Sequence, residues 1–447
     1  MGSKWQQIPL GQLISLQRGH DLPTQNRVNG QIPVMGSSGL TGWHNVSKCT
    51  GPGVVIGRSG NSMGVVSYSE SDFWPLNTCL YVTDFKGNDE KYIYYMLQQI
   101  DFDKFNSGSA QKSLNRNAVY PYNVMATIDI EEQKSIGKIL ANFEDKITLN
   151  HQINQTLEQM AQTLFKSWFV DFDPVIDNAL DVGFFEQDLA FSDELLRRVE
   201  IRKAARESDN FKPLSEDIRQ LFPNAFEECA EPALGLGGWV PKGWEGHPIK
   251  THCIKIQNGG TPSRSNSDYW DGGNIPWLTS GEVRQSIVTN VENTITDLGL
   301  QNSSAKWVSS YSTLVALYGA TAGEVSINAD PLTTNQAVCA LIPKESYCWF
   351  NYLQIRNKTT AMQNQAVGSA QQNISKGLVE NLIVISPQLH IVENFDQRVE
   401  PLFLKSIFNQ KMVMELTKLR DTLLPKLISG ELSLNELKID VQEETLI

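Results

Sequence analysis

No two of the six cysteines (Cys49, Cys79, Cys229, Cys253, Cys339 and Cys348) form a Cys-x-x-Cys unit. Zinc binding therefore has no support in the sequence, and a chain this long is not expected to rest on a disulfide framework; reduced, partly buried thiols are expected. No apolar run approaches the ~18 residues that a membrane span needs. Met1-Gly2-Ser3-Lys4-Trp5-Gln6 has no signal core and no Ser or Thr at the place that myristoylation requires, so the chain is expected to be cytoplasmic. Catalytic signatures are missing as well. The chain has no Gly-x-x-x-x-Gly-Lys-Ser/Thr phosphate loop, no Gly-x-Gly-x-x-Gly fingerprint, no His-Glu-x-x-His and no Asn/Asp-Pro-Pro-aromatic tetrapeptide of amino-methyltransferases. His252-Cys253 is a lone pair that reads as structural, and Asp101 with Asp103 reads as solvated.

Positive charge is also scarce. The formal net charge is −12, which argues against tight unaided binding to nucleic acid, because neutralised phosphates supply most non-specific affinity. The deficit is local. Residues 1–130 carry a net +1 and residues 233–390 carry 0, whereas residues 131–232 carry −10 and residues 391–447 carry −3. If the chain reads DNA, a basic partner is expected to help.

What the sequence does contain is a duplication. Residues 1–130 are rich in Gly, Ser and Asn and hold short β-prone runs such as Val54-Val55-Ile56 and Cys79-Leu80-Tyr81-Val82, then a short helix over Lys91–Gln99. Residues 239–390 repeat the order. Trp5 is answered by Trp244, Leu13–Gly19 by Cys253–Gly259, Gly30-Gln31-Ile32-Pro33 by Gly273-Asn274-Ile275-Pro276, and Asn77 by Asn335. Ser62-Met63-Gly64-Val65-Val66 resembles Thr321-Ala322-Gly323-Glu324-Val325, and Gly108-Ser109-Ala110-Gln111 returns as Gly368-Ser369-Ala370-Gln371. A long-period repeat of this kind means duplication, and loops that differ on a shared scaffold suggest two related but distinct binding surfaces.

Each copy is followed by a heptad seam. In Glu131–Trp168, Ile136, Leu140, Phe143, Ile147, Leu157, Ala161, Leu164 and Trp168 recur in steps of four and three around a polar centre, Asn150 and Asn154. In the copy, Phe395, Leu402, Asn409, Leu416 and Leu423 fall opposite Ile136, Phe143, Asn150, Leu157 and Leu164. The first seam predicts a helix about 57 Å long at 1.5 Å per residue, with Gly137 costing about 1 kcal/mol relative to Ala. The second is expected over Ile391–Ser429, with Pro425 disturbing its last turn and Gly430 beyond its end. The fold expected is α+β: two similar globular domains separated by two long antiparallel coiled-coil helices, an internal pseudo-two-fold repeat with Asn fixing register. The boundaries expected are 1–130, 131–172 for the first helix, 173–238 for a surface connector, 239–390, 391–430 for the second helix, and 431–447 for a tail. Such a rod between two DNA readers would act as a ruler for an unread spacer.

In this order these features resemble the specificity (S) subunit of type I restriction-modification systems. The resemblance covers nearly the whole chain. It includes the helix ends Ser167-Trp168-Phe169-Val170-Asp171-Phe172-Asp173-Pro174 and Leu423-Leu424-Pro425-Lys426-Leu427-Ile428-Ser429-Gly430-Glu431-Leu432. It also includes Leu221-Phe222-Pro223, Gly238-Trp239-Val240-Pro241-Lys242-Gly243-Trp244-Glu245 and the loop Gly368–Ser375. The proline-rich run that ends in Glu-Gln before each helix in that family is reduced here to Ile130-Glu131-Glu132-Gln133 and to Ser386-Pro387-Gln388-Leu389-His390. The resemblance implies a non-catalytic subunit whose two target recognition domains each read half of a bipartite double-stranded DNA site. It implies two methyltransferase (M) subunits docked on the helices and using S-adenosylmethionine on adenine, and two restriction (R) motor-nuclease subunits using ATP and Mg. No cofactor or metal is expected in this chain. The alternative is a self-contained DNA methyltransferase or nuclease with atypical motifs.

Base edges are read by Arg or Lys at guanine, Asn or Gln at adenine, and Ser or Thr at either. The loop residues that fit are Ser37, Ser38, Arg58, Asn61, Gln111, Lys112 and Arg116 in the first half. In the second they are Ser280, Arg284, Thr321, Gln371, Gln372 and Lys376. Lys112, Arg116 and Lys376 fit phosphate better than bases, while Asn77 and Asn335 read as turn-formers.

Overall fold

A computed structural model describes residues 5–108, 111–229, 231, 234–366 and 373–434. The chain divides into two compact units, one of Met1–Leu149 with Met412–Ile447 and one of Asn150–Lys411. Both divisions fall inside long helices, which run over Ile130–Phe169 and Leu389–Ser429.

In the first unit four antiparallel strands form a sheet in the order Ser15–Arg18, Cys79–Asp84, Gly53–Gly57, Val66–Ser69. Alternate side chains go to opposite faces. Leu16, Val54, Ile56, Leu80 and Val82 meet the helix Glu90–Gln98, while Val55, Cys79 and Tyr81 pack with Met35 and Phe73. Being covered on both faces, the central strand Gly53–Gly57 is apolar throughout and wholly buried. A second sheet places Ile32–Gly36 between Gly39–His44 and Trp74–Pro75, and Trp5–Pro9 pairs with Asn123–Thr127. The start of the first long helix and the end of the second complete this core through Ile136, Leu140, Leu424, Leu427 and Ile428.

The second unit repeats the plan with added strands. Cys253–Asn258, Val338–Pro343, Thr313–Ala316 and Val325–Asn328 form the same sheet, extended at its edge by Ile287–Val288. Asn293–Ile295, Ile275–Leu278, Leu332–Thr334 and Trp307–Val308 form the second sheet, and Glu245–Pro248 pairs with Ile383–Ser386. Cys348–Asn357 is the matching helix.

Within each unit the two long helices run antiparallel. In the second, Asn409 Nδ2 donates to Asn154 Oδ1 at 3.0 Å, Asn154 Nδ2 donates to the Ser406 carbonyl at 3.1 Å, and Phe165 and Trp168 pack edge-on or tilted against Phe395. Asn409 therefore meets Asn154. In the first unit Arg420 lies 3.9 Å from Glu144, which accepts from the Tyr95 hydroxyl at 2.9 Å. The second helix continues through Pro401 as well as Pro425. Each proline removes one backbone hydrogen bond, so the packing of Phe395, Val399, Phe403, Leu424 and Leu427 on either side of them outweighs that loss. Gly430 (φ 73°) ends it, where a Cβ would lie 2.4 Å from the Trp5 indole.

The stretch expected as a surface connector is a folded part of the second unit. Helices Asp173–Asp181 and Asp193–Arg206 place Val175, Ile176, Leu195 and Val199 in its core with Phe222 and Phe226. The sequence of this stretch looks like a linker because its acids and bases are counted separately; in space they interlock. Asp173, Asp177 and Asp181 recur every four residues opposite Arg198, Arg202 and Arg206, with closest N–O distances of 2.5, 2.6 and 2.6 Å along the ladder. Asp181 also binds Arg219; desolvation, the largest single influence, pushes its carboxyl up, but the Arg206 and Arg219 guanidinium groups together hold it below the usual carboxylate range. Replacing Asp181 by Ala is expected to lower the stability of the second unit by about 1 kcal/mol, as for a part-exposed network pair. Urea denaturation with a probe in that unit measures it, and an unchanged midpoint counts against the ladder as a stabilising element.

Candidate nucleic-acid interface

The repeated strands end in loops that backbone hydrogen bonds tie into one cluster in each unit. In the first unit Gly19 N–H donates to the Cys79 carbonyl at 3.1 Å, and Asn77 N–H to the His20 carbonyl at 3.0 Å. Arg58 N–H donates to Thr78, and Arg58 accepts from Leu114 N–H at 2.8 Å. Gly60 N–H donates to the Lys112 carbonyl at 3.0 Å. Gly57 closes the group in the first unit: a Cβ there would sit 2.4 Å from the Ser37 carbonyl and 2.0 Å from that of Ser62, so these turns meet with no side chain between them. Ser37, Arg58, Asn61, Gln111 and Lys112 are thereby brought to one end of the sheets, with Asn61 and Gln111 exposed.

Other expected residues are placed differently. Ser38 is exposed at the tip of the Ile32–His44 hairpin and lines a groove with Tyr68, Tyr94 and Glu144. Arg116 is exposed but donates to the Leu16 carbonyl at 2.8 Å. Lys112 pairs with Asp103 at 2.7 Å, and Lys376 with Glu380 at 2.8 Å. These surface pairs are weak enough to exchange for a phosphate.

The second unit builds the same cluster with different side chains. Gly260 N–H donates to Thr334, Leu317 N–H to Ala337, and Ile374 N–H to Leu317, each at 2.8 Å. Leu317 thus occupies the place of Arg58. Asn335 Oδ1 accepts from Ala337 N–H at 3.0 Å, which makes it a turn-former as expected. Asn77 ties its loop to the Asp21 carboxylate, and its carbonyl faces Arg18 Nε at 3.4 Å and Arg58 Nη1 at 3.5 Å. Ser280 and Arg284 bound a short 3-10 helix closed by Thr279 and Glu282, and Arg284 is exposed. Thr321 is a correction: it is buried, and its hydroxyl turns inward to the Tyr318 carbonyl at 3.4 Å because the turn folds back over Ile374 and Met362. Gln371 and Gln372 lie outside the described residues. The cluster adds three residues that sequence reasoning passed over: Arg18, Arg264 and Tyr318, the last 41% exposed. The repeat held a signal for one of them, since Arg18 adjoins the repeated Gly19; the bridge of Tyr318 to Asn373, matching that of Ser59 to Ser113, shows only in the structure.

The His252-Cys253 pair has no place in this cluster. His252 is buried, stacked on Tyr347, and bonded to Asn351 Oδ1 at 3.2 Å and Ser386 Oγ at 2.8 Å. Burial lowers the imidazole to about 4 and raises the Cys253 thiol to about 12, so both are neutral at pH 7 and neither activates the other. All six cysteines are free thiols. No helix among the described residues is long and apolar enough to cross a membrane.

The profile of the type I restriction modification DNA specificity domain matches residues 2–159 and 241–420, the two copies of this plan together with most of both long helices. The chain belongs to that family. It is 33% identical over 325 residues to the HindI specificity subunit of Haemophilus influenzae, covering 68% of each chain. It is 24% identical to the MjaIX specificity subunit of Methanocaldococcus jannaschii, over 78% of this chain and 71% of that one. The crystal structure of a type I restriction-modification S subunit from M. genitalium has the same fold, with a TM-score of 0.62 at 13% identity over 95% of this chain and 96% of the other. The chain is accordingly a DNA-recognition subunit of a type I restriction-modification system and not itself an enzyme.

Proposed function

We propose that each unit applies its loop cluster to one half of a bipartite DNA target, and that the long helices set the unread gap and carry two methyltransferase subunits. The observation that carries this reading is that one backbone cluster is built twice with unlike side chains: Arg18, Arg58, Asn61 and Gln111 against Arg264, Arg284, Leu317 and Tyr318. A shared frame with different base-facing groups is what two different half-sites need. The neutral charge of residues 1–130 and 233–390 fits a reader whose grip on phosphate comes from partners. Leu404 and Phe408 are exposed one turn apart on the second long helix within the second unit, apolar side chains suited to a protein partner. S-adenosylmethionine then belongs to the methyltransferase partners, and ATP with Mg to a motor-nuclease partner.

The test is an exchange. Residues 1–130 are replaced by the corresponding domain of another family member, methyltransferase subunits are added, and the methylated adenines are mapped. One half of the target should change and the other half and the gap should stay. A change in both halves would overturn the proposal.

A further inference from the structure

We propose that Arg264 reads a guanine in the half-site bound by the second unit. The inference rests on the DNA-reading function proposed above and names a residue and base for it. The guanidinium carbon of Arg264 lies 3.7 Å from the ring centre of Trp270 and 4.9 Å from that of Trp277. The two indoles meet edge to face at 5.0 Å and 89°. Both are anchored to the loop that bears the arginine: Trp277 Nε1 donates to the Gly260 carbonyl at 2.9 Å and Trp270 Nε1 to the Ser263 carbonyl at 3.0 Å. The aromatic pair therefore fixes the loop and the side chain together.

Stacking covers a face of the guanidinium and leaves its N–H edges open. Arg264 is exposed, and among the described residues it makes no ion pair and no hydrogen bond. An unpaired arginine held flat has lost most of its rotamer freedom before any ligand arrives, so binding orders little more. Its donor fork matches the O6 and N7 acceptors of guanine in the major groove, which no other base presents together. The loop adjoins the interface cluster directly, since Gly260 N–H bonds to Thr334 and the Thr261 hydroxyl binds the Gln336 side chain. The first unit has Val34 where the second has Trp277, so this pair of indoles is not repeated there. The two half-sites should differ accordingly.

The experiment uses the full chain with methyltransferase subunits and duplexes carrying the split target found by methylation mapping. In the second half-site each guanine is replaced in turn by 7-deazaguanine, which lacks N7. Wild type should lose about 10-fold or more in affinity at one such position. Arg264→Ala should lose a similar factor on the unmodified target and become indifferent to the base analogue at that position, while still discriminating the first half-site. Arg264→Lys should recover part of the loss. An Arg264→Ala chain that weakens on all sequences alike, with a shallower salt dependence, is a phosphate contact and overturns the proposal. A second half-site without guanine, or an unaffected Arg264→Ala chain, overturns it as well. If wild type itself does not separate target from random DNA, the failure lies in the underlying DNA reading.

Discussion

Replacing Asp396 by alanine is expected to lower the stability of the second unit by about 3 kcal/mol, because it leaves buried N–H groups without an acceptor. Asp396 stands on the second long helix, and its carboxyl accepts from Phe350 N–H at 2.8 Å and Trp349 N–H at 3.2 Å at the start of helix Cys348–Asn357. The residue before that helix, Tyr347, gives no side-chain cap of its own. Burial pushes the carboxyl up from 3.8 to about 7, against the pull of the backbone N–H groups. The folded chain thus keeps a proton that the unfolded chain releases near pH 4. Stability is then fully present below about pH 4 and falls as pH rises to about 7, by up to about 4 kcal/mol at 1.36 kcal/mol per unit. Asp396→Asn retains a neutral acceptor and should flatten this pH dependence while costing far less than Asp396→Ala at pH 5. Urea midpoints of the three chains at pH 5 and pH 7.5 check both claims; a wild-type slope that survives in Asp396→Asn assigns the effect to another group.

The first unit solves the same problem the other way round. Its helix Glu90–Gln98 is capped by Asp89, which accepts from Tyr92 N–H at 2.8 Å. At the place equivalent to Asp396 the first long helix has Gly137, where a Cβ would lie 2.9 Å from the Asp89 carboxylate and 3.2 Å from Tyr92 N. In sequence Gly137 looks like an unexplained cost within a helix. In the structure it is the space that the local cap needs. One half draws its cap from the short helix and the other from the long one, and only a side-by-side view of the two copies shows it.

That example marks how far the sequence could be read. Duplication, the α+β plan and two long antiparallel helices follow from features that local rules control: periodicity, repeated turn residues and apolar runs. The long helices run over Ile130–Phe169 and Leu389–Ser429, enclosing the heptad seams Glu131–Trp168 and Ile391–Ser429. The folded connector was not legible, since its order comes from the pairing of Asp173, Asp177 and Asp181 with arginines about 25 residues away, and such partners leave no periodic trace in a single sequence. Site residues were harder still. Arg58 and Thr321 have equal claims as loop residues, yet one edges the cluster and the other is turned inward by packing against the core. Arg264 was overlooked because what distinguishes it is stacking on Trp270 and Trp277, a contact that sequence spacing does not announce.

Glycine-to-alanine changes at Gly19 and Gly259 should separate the two readers. These repeat mates each pass directly over a backbone carbonyl. A Cβ would lie 2.2 Å from Leu76 O at Gly19 and 1.9 Å from Thr334 O at Gly259. A methyl group cannot be accommodated by turning a side chain aside, because the obstacle is main chain. Thr334 ends the strand Leu332–Thr334 and its carbonyl accepts from Gly260 N–H at 2.8 Å, so relief requires moving the very loop that carries Thr261 and Arg264. At the equivalent place in the first unit the displaced loop would carry His20 and Asp21, and with them the tie to Asn77. A displacement of about 1 Å in a reading loop costs on the order of 100-fold when base contacts depend on it. Gly259→Ala is therefore expected to abolish discrimination at the second half-site while the first is still read, and Gly19→Ala to do the reverse. Competition binding with methyltransferase subunits present, using duplexes scrambled in one half-site at a time, measures each effect, and circular dichroism confirms that both chains remain folded. If either change impaired both half-sites equally, the two clusters would be acting as one surface, and the assignment of one half-site to each unit would fail.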